Sequence, residues 1–285
     1  MKYGMETIEN SGNGIYSEDR LLLSDKILGV IDGATPVRKV PIGGSFTQAE
    51  WMVDSFAKKF PCRIEAGQED YGKIARRIVD ELSGREELQR IESSEKPSFT
   101  SATVTLHEKN LFCQVIGDSC IYVRKKTGEV IQITDRRVDA FSAKTAEAVK
   151  RARAEGLDEK EAAKKQKLEN GRMRNTLGGY WVIAFDGAFE KEFEERTFIT
   201  EEVDRVLLCT DGLERLFREF ALRTPEEFFD SRLSLKQALA ELRKYESEQF
   251  SRPYFPCVKQ SDDVAAVLIE FTESNREPQL MGEFI

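Results

Sequence analysis

The stretch that decides the fold is Val206-Leu207-Leu208-Cys209-Thr210-Asp211-Gly212. Its apolar run predicts a short buried strand, and the Asp-Gly pair predicts a turn at the end of that strand. The same order recurs in residues 27–33, which end in Asp32 and Gly33, and Asp262 lies just before a third apolar run. One Asp-Gly pair usually marks only a turn. Three carboxylates at the ends of buried strands favour a functional site, because an unpaired buried carboxylate costs free energy.

The rest of the chain combines strand and helix signals. Short runs rich in β-branched residues, bounded by turn residues, predict further strands over 102–107, 111–116, 121–124 and 130–134. The turns between them are typical of hairpins and therefore of antiparallel pairing. Apolar residues at helical spacing predict helices over 49–60, 74–82 and 235–245. These elements predict an α+β fold in which packed sheets are covered by helices.

Residues 142–171, called the flap below, differ from their surroundings in composition. They are rich in Ala, Lys, Glu and Arg and contain few large apolar residues. Two interpretations stay open for this segment. It is either a solvated helical excursion over the surface or a mobile flap that meets the substrate and affects substrate choice.

Composition excludes several classes of protein. The 285 residues fit one large domain or two small ones, and a net charge of −8 argues against a general nucleic-acid binder. The chain starts without the apolar run of a signal peptide and contains no stretch near the ~18 apolar residues of a membrane span, so we expect a cytoplasmic protein that binds no membrane. The single histidine, His107, excludes a His-rich zinc site. Five scattered cysteines predict reduced, buried thiols.

The chemistry of the strand-end carboxylates indicates a class of metal. Several carboxylates that converge repel one another, and a divalent cation relieves the repulsion. Oxygen donors without His or Cys suit Mg²⁺, Mn²⁺ or Ca²⁺. Two such ions about 3.5–4 Å apart can share a bridging water, lower its pKa and stabilise displacement at phosphorus.

The order of these segments resembles that of a known family, the metal-dependent type 2C serine/threonine protein phosphatases, over nearly the whole chain. The segments similar to the motifs of that family are Ser17-Glu18-Asp19-Arg20, Gly29-Val30-Ile31-Asp32-Gly33, Thr100-Ser101-Ala102-Thr103, Gly117-Asp118-Ser119, Gln132-Ile133-Thr134-Asp135, Leu207-Leu208-Cys209-Thr210-Asp211-Gly212-Leu213 and Asp262-Asp263. The resemblance implies a sandwich of two antiparallel β-sheets flanked by α-helices. It also implies one phosphatase-like domain over residues 1–285, with the flap as an insertion.

The resemblance also implies roles in metal binding. Asp32 would bridge two tightly bound Mg²⁺ or Mn²⁺ ions, and the carbonyl of Gly33 would bind one of them. Asp211 and Asp262 would complete the shell of the second ion. The implied reaction is hydrolysis of phosphoserine or phosphothreonine in a phosphoprotein by a metal-activated water, with Asp32 and Asp211 among the catalytic residues.

Three further carboxylates receive roles from the same resemblance. Glu18 and Asp19 would hold metal-bound waters and count among the catalytic residues. Asp118, together with Asp211, would form a third and weaker metal site. The alternative for Asp118 is a turn residue that caps the loop between two strands, and the sequence leaves both interpretations open.

The chain departs from the family pattern at several positions. Gly14 stands where the family usually has an arginine that binds the substrate phosphate, and we expect Arg20 or Arg38 to substitute for it. Ala34 stands where many members have a histidine proposed as general acid, and Asp263 replaces the usual asparagine. These departures keep two alternatives open. One is a hydrolase of the same fold that acts on a small phosphorylated metabolite or nucleotide, and the other is a non-catalytic regulatory module.

Overall fold

A computed structural model of the chain describes residues 2–12, 14–65, 70–107, 109–250 and 259–272. Eleven strands lie in these ranges. They are β1 Lys2–Asn10, β2 Asp19–Leu23, β3 Ile27–Gly33, β4 Ser98–Leu106, β5 Asn110–Ile116, β6 Cys120–Lys125, β7 Val130–Ile133, β8 Ile183–Ala184, β9 Glu194–Ile199, β10 Val203–Cys209 and β11 Val264–Thr272.

The strands form two antiparallel sheets. One sheet has the order β1-β11-β10-β6-β7, and the other has the order β2-β3-β4-β5-β9 with β8 paired to β4. The helices of the same ranges are α1 Gln48–Glu65, α2 Tyr71–Leu82, α3 Glu86–Gln89, α4 Arg137–Ala154, α5 Glu159–Gly171, α6 Asp211–Glu214, α7 Pro225–Asp230 and α8 Leu235–Gln249.

Three apolar clusters hold these elements in four layers. The first packs α1 and α2 on the outer face of the β2-β3-β4 sheet, with Phe56 and Phe99 at its centre. The second fills the space between the two sheets, and the third packs α7 and α8 on the outer face of the other sheet. The predicted α+β sandwich of two antiparallel sheets flanked by helices is therefore confirmed.

Strand alternation decides which way the first carboxylate faces. In β3, Leu28 and Val30 belong to the cluster between the sheets, whereas Ile27 and Ile31 pack toward the helices. Side chains alternate between the two faces of a strand, so Asp32 continues the row that faces the other sheet. The end of β3 therefore points a carboxylate into the gap between the sheets at one end of the sandwich.

A close backbone approach joins the two other metal-motif segments. A Cβ atom on Gly212 would overlap the carbonyl oxygen of Asp263, so only glycine fits at this position. The loop after β10 and the loop before β11 therefore touch, which brings Asp211 and Asp262 to the same end of the sandwich.

The sequence predicted most of the interior strands but missed four others. The predicted runs correspond to β3–β7, β10 and β11, whereas β1, β2, β9 and the two-residue β8 were not predicted. In β1 and β9 the residues are mostly exposed or half-buried, and both strands lie at sheet edges. Polar edge strands lack the apolar signal on which the predictions relied.

The helices and single residues show smaller differences. The helical part of the flap region starts at Arg137, before the predicted boundary at Ser142, and has two helices, α4 and α5. His107 is exposed just after the end of β4. Cys113, Cys120 and Cys209 are buried free thiols, but Cys62 is exposed and corrects the prediction of burial; Cys257 lies outside the described residues. Among the described residues, no helix is both long and apolar enough to cross a bilayer.

We expect Gly212→Ala to destabilise the fold, because the added methyl group must displace the backbone of Asp263. Overpacking of this kind costs about 1–3 kcal/mol in the free energy of unfolding, which urea denaturation measures. The control is Gly4→Ala, since a Cβ at Gly4 has no neighbour within 4 Å. This control should change stability by less than about 0.5 kcal/mol. Equal stability of the two variants would contradict the proposed close approach.

Candidate active site

The strand ends open into one cleft, called the acidic cleft below, with a volume of about 320 Å³. The residues that line it include six aspartates and two glutamates. They are Asp19, Asp32, Asp118, Asp211, Asp262, Asp263, Glu18 and Glu95. The structure thus brings together all the carboxylates that the sequence assigned to metal binding or catalysis, and Gly33 lines the cleft with them.

Strand pairing places the first of these side chains. Asp19 on β2 lies directly opposite Asp32 on β3, and Asp32 in turn pairs with Thr100 on β4. The N–H of Gly33 donates to the carbonyl oxygen of Glu18 at 2.8 Å. A Cβ on Gly33 would lie 2.7 Å from that oxygen, so glycine is required at this position.

The aspartates at the centre of the acidic cleft raise one another's pKa. Burial and then the charges of Asp19 and Asp211 hold the pKa of Asp32 well above its usual value of 3.8. Burial, Asp262 and Asp118 raise the pKa of Asp211 to about 7, although a hydrogen bond shared with Asp32 opposes the shift. The metal-free site therefore favours protons, and it lacks enough positive charge to balance its carboxylates.

Asp19 and Asp118 follow the same rule. Burial is the main cause that holds the pKa of Asp19 well above 3.8, and the charge of Asp211 adds to it, against a hydrogen bond with Thr210. Burial raises the pKa of Asp118 to about 6, with Glu214 as the strongest repelling charge. The side chain of Asp118 is half-buried at the mouth of the β5–β6 turn.

Glu18 is held in place by two hydroxyl groups. Thr47 Oγ1 donates to Glu18 Oε1 at 2.6 Å, and Thr35 Oγ1 donates to Glu18 Oε2 at 2.8 Å. Burial raises the pKa of Glu18 in spite of these bonds. Both threonines come from the segment between β3 and α1, and the sequence analysis did not identify them.

The two aspartates before β11 have different partners. Asp262 accepts from Lys259 Nζ at 2.9 Å and from an Arg215 guanidinium nitrogen at 3.2 Å. Asp263 accepts from the backbone N–H groups of Gly12 and Glu18 at 2.9 and 2.7 Å. Asp263 therefore fastens the segment between β1 and β2, and its charge is balanced by backbone donors.

The residues present suit a hard divalent cation in their chemistry. They offer oxygen donors, and their raised pKa values show repulsion that a cation would relieve. Within the described ranges, however, no three His, Cys, Asp or Glu side chains already form a group that could hold a metal ion. One reason that the carboxylates do not form such a group is that Asp262 is already paired with Lys259 and Arg215. A metal ion would have to displace these partners to bind the Asp262 oxygens.

A buried polar network lies behind Asp211 and Asp118. Glu214, three residues after Asp211, accepts from Arg136, Tyr122 and Gln132 at 2.7, 3.1 and 2.9 Å. These groups come from α6, β6 and the segment around β7. The sequence analysis did not identify Glu214. Its position three residues after Asp211, about one helical turn along α6, was the available signal.

The two arginines predicted to bind the substrate phosphate do not line the acidic cleft. Arg20 Nε binds Asp54 at 2.6 Å, and its guanidinium also donates to the carbonyl oxygens of Ser17 and Asp19. Arg38 is an exposed residue on the loop before α1. The structure therefore does not bring Arg20 or Arg38 to the carboxylates, because Arg20 is used to hold β2 against α1.

The flap forms one wall of the acidic cleft. Its lining residues are Ser142, Thr145, Lys167, Asn170 and Gly171. Buried Asn170 donates to the Phe141 carbonyl oxygen at 2.8 Å and to Thr145 Oγ1 at 3.0 Å, which ties α5 to α4. The flap is thus a helical pair with an exposed outer surface and an inner surface on the cleft, and its contact with a substrate stays a prediction.

A comparison with family models matches residues 9–261 to protein phosphatase 2C. The chain belongs to the protein phosphatase 2C family. This family consists of metal-dependent serine/threonine protein phosphatases, and membership assigns the chain to that class of enzyme. The match includes every carboxylate of the acidic cleft except Asp262 and Asp263, which directly follow its last residue.

Solved structures of protein phosphatase 2C type share the fold at low sequence identity. Serine/threonine phosphatase Stp1 from Staphylococcus aureus is 15% identical with a TM-score of 0.58, and the match covers 96% of each chain. PppA, a regulatory component of T6SS in Pseudomonas aeruginosa, is 17% identical with a TM-score of 0.52 and coverages of 95% and 98%. A search of curated proteins gave no significant match.

The raised pKa of Asp211 predicts an unusual pH dependence of stability in the metal-free protein. Folding lifts this pKa from the ordinary 3.8 to about 7, so the folded state keeps a proton that the unfolded state releases between these values. The free energy of unfolding therefore falls as pH rises from about 4 to about 7, because only the unfolded state releases the Asp211 proton in this range. Asp211→Asn removes this loss, because the amide does not ionise.

The measurements are urea unfolding and thermal unfolding of both proteins in EDTA at several pH values. Asp211→Asn should gain stability over the wild type as pH rises and should reach its full advantage above about pH 7. At that pH its Tm should be higher by about 2–4 °C for each 1 kcal/mol of relieved repulsion. A stability difference that stays constant from pH 4.5 to 8 would contradict the interpretation.

Proposed function

We propose that the chain hydrolyses phosphoserine and phosphothreonine in proteins, with Mg²⁺ or Mn²⁺ as the metal. The observation that carries the proposal is the convergence of Asp32, Asp211 and Asp262 at one end of the sandwich. No structural need explains three half-buried carboxylates that converge there, since their mutual repulsion costs stability. Membership in protein phosphatase 2C supports the reaction class.

Each residue of the acidic cleft has a place in this proposal. Asp32 and the carbonyl of Gly33 would hold the ions, and Asp211 and Asp262 would complete the ligands of the second ion. When bound, paired divalent ions lower the pKa of a water between them and neutralise charge that develops on the phosphoryl oxygens. Glu18 and Asp19 accept hydrogen bonds from waters in the cleft and orient them.

The residues around Glu18 fit a role in orientation. The hydroxyls of Thr35 and Thr47 fix both of its oxygens, so its carboxylate has one preferred position. Fixed acceptors of this kind act in catalysis because they need not reorganise during the reaction. The side chain of Asp19 is held in a similar way by Thr210.

Asp118 is proposed as a ligand of a third, weaker metal with Asp211. The charges of Asp118 and Asp211 influence each other, and both side chains line the acidic cleft. A site with few protein oxygens would leave its ion largely water-coordinated, which Mg²⁺ and Mn²⁺ accept. Ala34 cannot donate a proton, so an acidic water near Asp118 would protonate the leaving group.

We also propose that residues 1–285 act as one phosphatase domain with the flap over 142–171 as an insertion that affects substrate choice. Support comes from the cleft-lining residues on α4 and α5 and from their exposed outer surfaces. In this proposal the flap contacts the substrate and contributes no metal ligand.

Hydrolysis should require added Mn²⁺ or Mg²⁺ and should stop in EDTA, because the carboxylate oxygens of the acidic cleft suit these ions and EDTA competes for them. Asp32→Asn should lose more than nine-tenths of turnover of p-nitrophenyl phosphate and phosphoserine peptides, a loss above ~1.4 kcal/mol in transition-state stabilisation. The control is Asp25→Asn, an exposed aspartate in the turn at the other end of β3. Its turnover should match the wild type.

The same assay separates the alternatives. Metal-dependent turnover of phosphorylated metabolites without turnover of phosphopeptides would replace the protein substrate by a small one. Full activity in demetallated protein, or a folded Asp32→Asn variant with wild-type turnover, would overturn the mechanism.

Asp118→Ala should lower kcat strongly and leave the two tight metals in place. The loss should be at least about tenfold larger for a phosphoserine peptide than for p-nitrophenyl phosphate, whose leaving group needs little protonation. Steady-state kinetics with both substrates and metal titration of the variant measure this. Equal losses would refute the proton-transfer role, and full activity on both substrates would leave Asp118 as a turn residue.

A further inference from the structure

The proposed function requires a cation for the substrate phosphate, and the acidic cleft offers four candidates among its described lining residues. They are Lys96, Lys167, Arg174 and Lys259. Each candidate can be tested against its contacts, because a cation that already uses its donors has none left for a ligand.

Arg174 uses four of its five guanidinium N–H donors within the protein. Its guanidinium donates to Asp186 through two nitrogens, to the Lys96 carbonyl oxygen at 2.7 Å and to the Ser93 carbonyl oxygen at 2.7 Å. The residue is 6% exposed. Arg174 therefore fastens the end of the flap region to the body of the protein. Lys96 lines the cleft, but the described contacts join its side chain to none of the aspartates at the centre.

Lys259 lies over the carboxylates. Its Nζ is 2.9 Å from Asp262 Oδ1 and 3.4 Å from Thr35 Oγ1. The charges of Asp211 and Asp32 also stabilise its ammonium. Lys259 therefore places a positive charge at the centre of the acidic cleft from outside the flap. If its ammonium exchanged the Asp262 carboxylate for a phosphate oxygen, its charge would stay paired.

Lys167 approaches the same point from the flap. The residue as a whole is exposed, but its ammonium reaches into the cleft, where desolvation and the charge of Lys259 lower its pKa. Asp262 and Glu18 act on it from the other side. Within the described residues Lys167 has no salt-bridge or hydrogen-bond partner among the side chains, so its donors are available.

We propose that Lys167 and Lys259 form a two-lysine clamp that binds the phosphate dianion of the substrate. The clamp replaces the phosphate-binding arginine of the family, because this chain has Gly14 at that position. Two ammonium groups that repel each other across a cleft gain a shared partner when a dianion lies between them. Lys259 comes from the segment before β11, and Lys167 comes from α5 in the flap. In this proposal the flap therefore binds the phosphate group of the substrate as well as the substrate chain that carries it.

The charge of the flap region agrees with this role. Between residues 137 and 174, eleven Lys and Arg residues stand against seven Asp and Glu residues, whereas the whole chain has a net charge of −8. A basic wall on an otherwise acidic protein attracts an anionic ligand toward the cleft.

Equilibrium dialysis of radiolabelled inorganic phosphate against the full-length, Mg²⁺-loaded protein tests the clamp directly. Lys167→Ala and Lys259→Ala should each raise the Kd for phosphate about tenfold or more, which corresponds to about 1.4 kcal/mol. Lys167→Arg should keep most of the affinity, because it retains the charge. Lys164→Ala is the matched control, since Lys164 is an exposed lysine on the same helix that does not line the cleft.

Kinetics add a second readout. Each clamp variant should raise KM for p-nitrophenyl phosphate about tenfold and change kcat much less, which is the pattern of lost uniform binding. Lys259→Gln serves as a second variant, which removes the charge but keeps a polar side chain only one atom shorter, and it should raise KM as Lys259→Ala does. Phosphate binding within twofold of the wild type in both alanine variants would overturn the clamp.

The clamp rests on the proposed function, but the two fail in different ways. Wild-type protein that binds phosphate through both lysines but hydrolyses none of the esters would overturn the function and support the clamp. Metal-dependent turnover with unchanged phosphate binding in both alanine variants would support the function and overturn the clamp.

Discussion

The mutual repulsion of carboxylates at one end of the sandwich is the constraint on which the rest of the structure depends. Burial and the charges of neighbouring aspartates hold the pKa values of Asp19, Asp32 and Asp211 above their usual value, so the folded protein holds these residues together at a cost. That cost is offset by three apolar clusters which lock both sheets and the helices on their outer faces. A site of this kind is stable only where the surrounding layers leave its strand ends no freedom to separate, as the contact of Gly212 with Asp263 illustrates.

The sequence predicted the interior of the fold better than its edges. Apolar runs identified β3, β10 and β11, because central strands of packed sheets bury both faces and therefore lack polar residues. The edge strand β1 alternates exposed and half-buried residues and gave no such signal. The carboxylates of the site were predictable because each lies next to a strand signal or in a motif segment, whereas their exact partners depend on contacts between distant parts of the chain.

The phosphate-binding residue shows why some of the site could not be predicted. Arg20 lies one position after Asp19, yet its guanidinium binds Asp54, which lies 34 residues further along the chain. No local pattern indicates that contact. Lys167 and Lys259 are separated by most of the chain's second half, and neither belongs to a motif. Only the fold of the flap against the sheet ends brings both ammonium groups to the acidic cleft.

The base of the flap is joined to the carboxylates through a short path of polar contacts. Arg136, which precedes α4, donates to Glu214 at 2.7 Å, and Glu214 lies three residues after Asp211. Because Glu214 is buried, its charge needs the guanidinium, and the start of α4 is therefore held beside the site. From that fixed base α4 leads outward and α5 returns, with Asn170 bonded back to the Phe141 carbonyl oxygen. The position of Lys167 over the cleft is thus set from two points, which explains how a helical pair with a polar, exposed outer surface can still present one lysine to the phosphate.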